Sequence, residues 1–243
     1  MRKVLLAAGT LLVLSASVAS ATGVNLSWND CGLAGTQNTT FACNVTSGVP
    51  FIMFASYIPP PNINELVGMS SQIDIKTDQA VLPDWWAHGT GFCRGTTGMS
   101  VSFDFTSGPF SCTDFWAGQA AGGFAYDVGF GSPDRARMRI QCAIPFGTQA
   151  PVDPSTEYYA YKVTITRAKA TGTGSCAGCS NPACIVLNEI QLFQPPTDAN
   201  DPIINNPIDR QFVTWQGPTS VNICPQSTPN RKSSWGEVKS LYR

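Results

Sequence analysis

The chain has 243 residues, a formal net charge of −1, nine cysteines and a single histidine. Charged side chains make up only 13% of the residues, which excludes a disordered acidic or basic tail and a charged coiled coil. The near-neutral charge argues against a nucleic-acid interface, and one histidine excludes every site that needs two imidazoles.

The first 21 residues have the three parts of a secretory signal peptide. Arg2 and Lys3 are positively charged, residues 4–14 form an apolar run that is too short to span a bilayer, and residues 19–21 are small. We therefore predict cleavage after Ala21 and export, so that the protein is secreted, periplasmic or on the cell surface. No membrane span is predicted after the signal peptide.

Alternation of apolar and polar side chains with a period of two recurs through the body of the chain and predicts half-buried strands. Turn-forming Gly, Pro, Asn and Ser clusters separate these segments, and helical periodicity is nearly absent. Antiparallel sheets with one solvated face produce this pattern. We predict an all-β, antiparallel two-sheet sandwich, with a jelly roll as the alternative. The nine predicted strands are residues 24–28, 39–43, 51–58, 67–76, 99–105, 124–128, 136–144, 159–166 and 184–193.

The sandwich domain is predicted to cover residues 22–194, after which the composition changes. Residues 195–232 are rich in Pro, Asn and Asp and predict an irregular segment with one more short strand around Phe212, Val213 and Trp215. Residues 233–243 begin with a capping box and predict a short amphipathic helix. Its apolar side would dock on the sandwich itself or on a partner or sorting machinery, through Trp235, Val238, Leu241 and Tyr242.

In an exported chain the nine cysteines are disulfide candidates, and an odd number leaves at least one thiol unpaired. We expect Cys31 and Cys43 to close a small loop, and we place the unpaired thiol in the cluster of Cys176, Cys179 and Cys184. A metal site there lacks a fourth ligand, and a redox site lacks a βαβ context. The candidates are Cys31, Cys43, Cys93, Cys112, Cys142, Cys176, Cys179, Cys184 and Cys224.

The sequence shows no recognisable catalytic set. His88 is the only imidazole, no Gly-x-Ser-x-Gly motif is present, and no two carboxylates are recognisably paired for glycoside hydrolysis. We therefore predict a protein that is not an enzyme and uses no cofactor or metal. The alternatives are an extracellular hydrolase that uses loop carboxylates or His88, and a thiol or metal protein that uses the 176–184 cluster.

Aromatic side chains in or near loops are the better lead to a function. Exposed Trp and Tyr rings stack on sugars or anchor protein interfaces, although burial as lids over a core is the more frequent outcome. The candidate ligand-binding residues are Tyr57, Trp85, Trp86 and Trp116. A second pattern is Arg135, Arg137 and Arg139, which share one strand face and predict a neighbouring strand with acidic residues or a solvated face.

Three stretches carry a resemblance to known proteins: residues 67–86 (from Val67-Gly-Met to Leu82-Pro-Asp-Trp-Trp), residues 175–190 (from Ser175-Cys-Ala-Gly-Cys to Asn-Glu-Ile) and residues 234–243 (Ser234-Trp-Gly-Glu-Val-Lys-Ser-Leu-Tyr-Arg). Together they resemble secreted bacterial β-sandwich proteins with no known activity. The predicted sandwich is also similar in outline to cohesin-like, immunoglobulin-like and carbohydrate-binding modules. The prediction is a non-enzymatic exported module that binds a protein or polysaccharide, or an envelope component.

Overall fold

The computed structural model describes residues 22–198, 200–217 and 224, and this part of the chain forms two β-sheets. It contains two short 3-10 helices, Gly32–Ala34 and Asp84–Trp86, and no helix long and apolar enough to cross a membrane. The strands are β1 (Gly23–Trp28), β2 (Asn38–Thr39), β3 (Phe51–Ile58), β4 (Gly68–Thr77), β5 (Met99–Ser102), β6 (Ala121–Val128), β7 (Arg135–Ala143), β8 (Tyr158–Ile165), β9 (Ala183–Phe193), β10 (Ile203–Ile204) and β11 (Phe212–Trp215).

The four-stranded sheet has the order β1-β3-β8-β5, and the seven-stranded sheet has the order β2-β11-β9-β4-β7-β6, with β10 beside one end of β9. All strand pairs are antiparallel except β2–β11. The predicted all-β, two-sheet sandwich is therefore confirmed.

Side chains of the two sheets that face each other form one core. In β7, Ala136, Met138 and Ile140 are fully buried, and the residues between them are partly or fully exposed, as the period of two predicts. A polar contact also crosses the core: the hydroxyls of Ser71 on β4 and Tyr161 on β8 are 2.8 Å apart, and Ser71 donates to the Glu189 carbonyl. The two sheets are thus joined by a hydrogen bond as well as by apolar packing.

Several element boundaries differ from the predicted ones. β6 begins three residues earlier than predicted. Its first residues, Ala121, Gly122 and Gly123, are small and also favour turns, so their pattern does not predict a strand. The strand predicted over 39–43 is only Asn38–Thr39, and the one over 99–105 ends at Ser102. The predicted strand around Phe212 is β11, and its Val213 and Trp215 are fully buried.

The segment predicted to be irregular after residue 194 contributes two strands, since β10 pairs with the end of β9 and β11 pairs with its start. Two predictions lie outside the described residues. These are the signal peptide over residues 1–21, and the C-terminal helix with Trp235, Val238, Leu241 and Tyr242.

All nine cysteines lie within the described residues, and eight of them form disulfides. The bridges are Cys31–Cys112, Cys43–Cys179, Cys93–Cys176 and Cys184–Cys224.

Two cysteine predictions are wrong. Cys31 and Cys43 do not pair with each other, because each lies beside a cysteine that is distant in sequence. The unpaired thiol is Cys142 and not a member of the 176–184 cluster, because Cys142 points into the core from β7. Cys142, one of the nine disulfide candidates, therefore forms no bridge in the structure.

Candidate functional site

The four aromatic rings proposed as ligand platforms are inside the protein. Tyr57, Trp85 and Trp86 are 0% exposed and Trp116 is 1% exposed. The 3-10 helix Asp84–Trp86 turns both of its indoles inward, where their rings lie 5.2–5.8 Å from that of Trp215. Trp116 donates from Nε1 to the Ala160 carbonyl at 2.9 Å. These rings offer no face to an external ligand, so the structure corrects their predicted exposure.

His88 is also buried, and its surroundings do not form a catalytic arrangement. Neither ring nitrogen has a hydrogen-bond partner, so no hydroxyl or carboxylate of the described chain is paired with the imidazole. Burial, followed by the charge of Arg94, lowers the pKa of His88 to about 3. A Ser–His–Asp arrangement needs a base that is hydrogen-bonded on both sides, and His88 is bonded on neither.

The cysteine cluster holds three separate parts of the fold. Cys176 forms a disulfide with Cys93, in the loop that follows the Trp pair. Cys179 forms one with Cys43, and Cys184 forms one with Cys224. Cys176 and Cys179 form no bridge with each other, and each thiol of the cluster is already in a disulfide. The thiol or metal alternative would need one of them as a free thiolate.

The arginine face on β7 meets acidic residues on both neighbouring strands. Arg137 forms two hydrogen bonds with Asp74 on β4, at 2.6 Å from Nε and 2.8 Å from Nη2. Arg139 donates from Nη2 to Asp127 on β6 at 2.6 Å. For Arg137 and Arg139, the prediction of an acidic neighbouring strand is confirmed. Two of the three arginines on this face are thus neutralised by a carboxylate of a neighbouring strand.

The edge of the seven-stranded sheet at β6 is open. β6 pairs with β7 on one side only, and it is eight residues long. The other sheet edges are short or covered. β2 has two residues, β5 has four, and β1 is covered by backbone hydrogen bonds from residues 206–210.

Proteins usually protect a long edge strand with Lys, Pro, a bulge or a covering segment. The sequence of β6, AGGFAYDV, contains neither Lys nor Pro, and its only charge is on Asp127, which bonds to Arg139. Among the described residues, β6 is therefore the longest edge that lacks these forms of protection.

A depression of about 840 Å³ lies at the first half of β6, and small residues create it. Ala121 and Gly123 have little or no side chain, and Ala143, the partner of Ala121 on β7, is also small. The surrounding walls combine ring edges with two side chains that can donate hydrogen bonds. The lining includes Phe124, Phe193, Arg139 and Gln141.

Sequence reasoning missed this surface because an Ala-Gly-Gly run predicts a turn more readily than a strand. A usable signal was present: residues 115–126 contain no charged residue and lead directly into the strand predicted at 124–128. Gly122 and Gly123, directly before that predicted strand, are a second signal, because glycine inside a strand often marks a place where another backbone or a ligand approaches closely.

Neither the protein-family models nor the curated proteins contain a match to this chain. Among solved structures, the chain is similar to the second type II cohesin module from the adaptor ScaA scaffoldin of Acetivibrio cellulolyticus. The two are 13% identical in sequence, the similarity covers 87% of this chain and 97% of that chain, and the TM-score is 0.32.

Proposed function

We propose that this protein is an exported, non-enzymatic β-sandwich module that binds another protein by adding an extended segment of its partner to the free edge of β6. The observation that carries the proposal is the absence of protection along this eight-residue strand. Strand addition to an open edge gives affinity through backbone hydrogen bonds and specificity through side-chain pockets.

The depression next to Gly123 supplies the pocket that such a mode needs. A side chain of the added segment can enter the space that Ala121, Gly123 and Ala143 leave open. Arg139 and Gln141, at its wall, can donate hydrogen bonds to a carboxylate or amide of that segment. The segment that fits is therefore extended, with an apolar side chain for the depression and an acidic or amide side chain for its wall.

One prediction and one observation support export, and a further observation weighs against polysaccharide binding. The predicted signal peptide and the four disulfides both fit an oxidising compartment outside the cytoplasm. Sugar-binding surfaces rely mainly on exposed Trp and Tyr rings, and the four named for that role are buried, so the exposed aromatic rings of the described residues are phenylalanines. We therefore favour a protein partner.

Selection of short peptides from a displayed random library on the full-length exported protein tests the proposal. Gly123→Lys is the informative variant, because no atom lies within 4 Å of the position that a Cβ would take there. A lysine on an edge strand hinders strand addition. Ala80→Lys, at an exposed loop position, adds the same charge elsewhere and is the matched control.

We expect peptides that bind the native protein to lose at least tenfold in affinity for Gly123→Lys and to bind Ala80→Lys unchanged. Peptides that bind Gly123→Lys as well as the native protein would place the docking site elsewhere. A library that yields no binder would also contradict the proposal. Concentration-dependent dimerisation that Gly123→Lys abolishes would replace the partner protein with a second copy of this chain.

A further inference from the structure

A second cavity, which shares Phe124 with the depression at the start of β6, lies where β5 and β6 approach each other. It has a volume of about 290 Å³, just below the range of about 300–1,000 Å³ for small-molecule sites. Thr96 on its rim is exposed, so the cavity reaches the surface. It is lined by His88, Gly89, Gly95, Thr96, Met99, Phe124 and Tyr126.

One wall of this cavity carries a buried polar side chain that nothing in the described chain satisfies. His88 is 3% exposed, and both Nδ1 and Nε2 lack a hydrogen-bond partner. The ring of Tyr126 lies 5.2 Å away in an edge-to-face arrangement, but its hydroxyl donates to the Trp86 carbonyl at 2.7 Å. Buried polar groups in proteins are almost always hydrogen-bonded, so an imidazole without a protein partner on a cavity wall is a group that a bound ligand can satisfy.

A buried cation stands next to this imidazole. Arg94 is 3% exposed and lies 3.6 Å over the ring of Trp85. Its Nη2 donates to the Gly98 and Thr166 carbonyls at 2.9 and 2.8 Å, whereas Nε and Nη1 have no partner. No carboxylate of the described residues forms an ion pair with Arg94. A buried charge without a counter-ion is unfavourable, and a bound anion would offset it.

One unpaired nitrogen of each side chain lies beside Gly98, which brings the two side chains close together. A Cβ on Gly98 would lie 2.8 Å from Nε of Arg94 and 2.9 Å from Nδ1 of His88. Both distances are shorter than real Cβ contacts, so His88 and Arg94 pack against residue 98 in a way that only glycine allows. The positive charge of Arg94 is therefore close to the imidazole on the cavity wall.

The loop that carries both side chains is held in place without a ligand. The disulfide Cys93–Cys176 fixes it to the region before β9. Within the loop, the Gly89 amide donates to the Gly95 carbonyl at 2.9 Å and the Arg94 amide donates to the Ala87 carbonyl at 3.3 Å. Preorganised donors bind a ligand without first losing conformational freedom.

We propose that this cavity binds a small organic acid, with a carboxylate at one end and a compact apolar body at the other. The carboxylate accepts a hydrogen bond from His88 and lies next to the charge of Arg94. The body packs against Met99, Phe124 and Tyr126, which form the apolar part of the lining. A cation is disfavoured by Arg94, and an inorganic anion would leave the apolar part unfilled.

His88 is the chain's only histidine, so the NMR signal of its ring proton Hε1 is unambiguous in the full-length exported protein. The signal is followed during titration with benzoate, with the neutral analogue benzamide and with inorganic phosphate. We expect benzoate to shift it saturably and to bind at least tenfold more tightly than either of the others. Equal affinity for benzamide would overturn the role of the charge, and equal affinity for phosphate would overturn the role of the apolar body. No saturable shift with benzoate would overturn the site.

Two variants separate the site from its surroundings. Arg94→Gln should weaken benzoate at least tenfold, while the matched Arg135→Gln on the outer face of β7 should leave it unchanged. If Arg94→Gln does not fold, Phe124→Trp serves instead, because a larger ring on the half-buried rim narrows the cavity without a change of charge. Benzoate binding that survives Phe124→Trp unchanged would contradict the proposal.

Discussion

At the scale of single residues, burial sets the chemistry of His88 more strongly than its neighbours do. Its pKa falls from an ordinary value of 6.5 to about 3, so the imidazole is neutral in the folded protein at every pH above about 4. The unfolded chain binds a proton near pH 6.5, and the folded chain does not. Folding is therefore opposed progressively as the pH falls from 6.5 toward 3.

This shift predicts acid sensitivity in a defined window. Between pH 7 and pH 4.5 the free energy of unfolding should fall by about 2–3 kcal/mol through His88 alone. Asp104, Asp134 and Asp153 have pKa values lowered below 3.8, so they lose their stabilising effect at a lower pH. Urea denaturation at several pH values measures the change. His88→Gln should remove most of it, and an unchanged pH dependence in that variant would contradict the assignment.

The thiol of Cys142 should be unreactive in the folded protein. Burial raises its pKa to about 12, and the thiolate is the reactive form. We expect iodoacetamide to add nothing to the native protein and one group to the protein unfolded in denaturant without a reductant. Mass spectrometry counts the groups. Labelling of the native protein, or more than one label after unfolding, would contradict the disulfide pattern.

At the scale of elements, two adjacent glycines of β6 have opposite roles. A Cβ on Gly122 would overlap the Gln141 carbonyl oxygen and lie 2.7 Å from the Cα of Cys142, whereas a Cβ on Gly123 would meet nothing within 4 Å. Only the first glycine is required by close packing between β6 and β7. The second keeps the depression open.

Alanine substitution at each glycine tests this difference. Gly122→Ala should destabilise the fold by about 1–3 kcal/mol, because the strand must move away from β7. Gly123→Ala should stabilise it by about 0.5 kcal/mol, because alanine restricts the unfolded chain more than glycine does. Thermal or chemical denaturation of the two variants measures both values. Equal effects would show that the two backbone environments are alike.

The two cross-strand ion pairs of β7 provide a second comparison at this scale. The side chains of Arg137 and Asp74 are 21% and 13% exposed, and those of Arg139 and Asp127 are 58% and 39% exposed. Solvent screens the second pair more strongly. Double-mutant cycles should give a coupling energy of about 1 kcal/mol for Arg137–Asp74 and about 0.3 kcal/mol for Arg139–Asp127. A larger coupling for the exposed pair would contradict this order.

At the scale of the whole molecule, the sandwich could be predicted from the local pattern, because apolar side chains that are buried alternate with polar ones along each strand. The strand predicted over 51–58 matches β3, and that over 136–144 is within one residue of β7. The pairing of strands and cysteines could not be predicted, since it depends on contacts between residues far apart in sequence. Cys43 and Cys179, for example, are separated by 136 positions.

The candidate sites were harder to predict for a different physical reason. Composition shows which side chains are present but not whether a loop turns them inward, and the Trp pair of residues 85–86 is turned inward. Arg94 did carry a signal, because it is the only charged residue between Asp84 and Asp104. The side chain of a lone cation in an apolar stretch either extends its charged end to solvent or is buried inside the protein, and only the fold decides between the two.

The four disulfides also determine what happens when a protease cuts the chain. Between Cys31 and Cys224, residues 180–183 are the only ones outside every loop closed by these bridges. A single nick anywhere else in that range leaves both fragments covalently joined, and residues 180–183 contain no Lys or Arg for trypsin. Trypsin-nicked protein should run as one band on a non-reducing gel and separate only after reduction. Outside the cell, where proteases are abundant and reductants are scarce, a single nick would therefore release neither fragment.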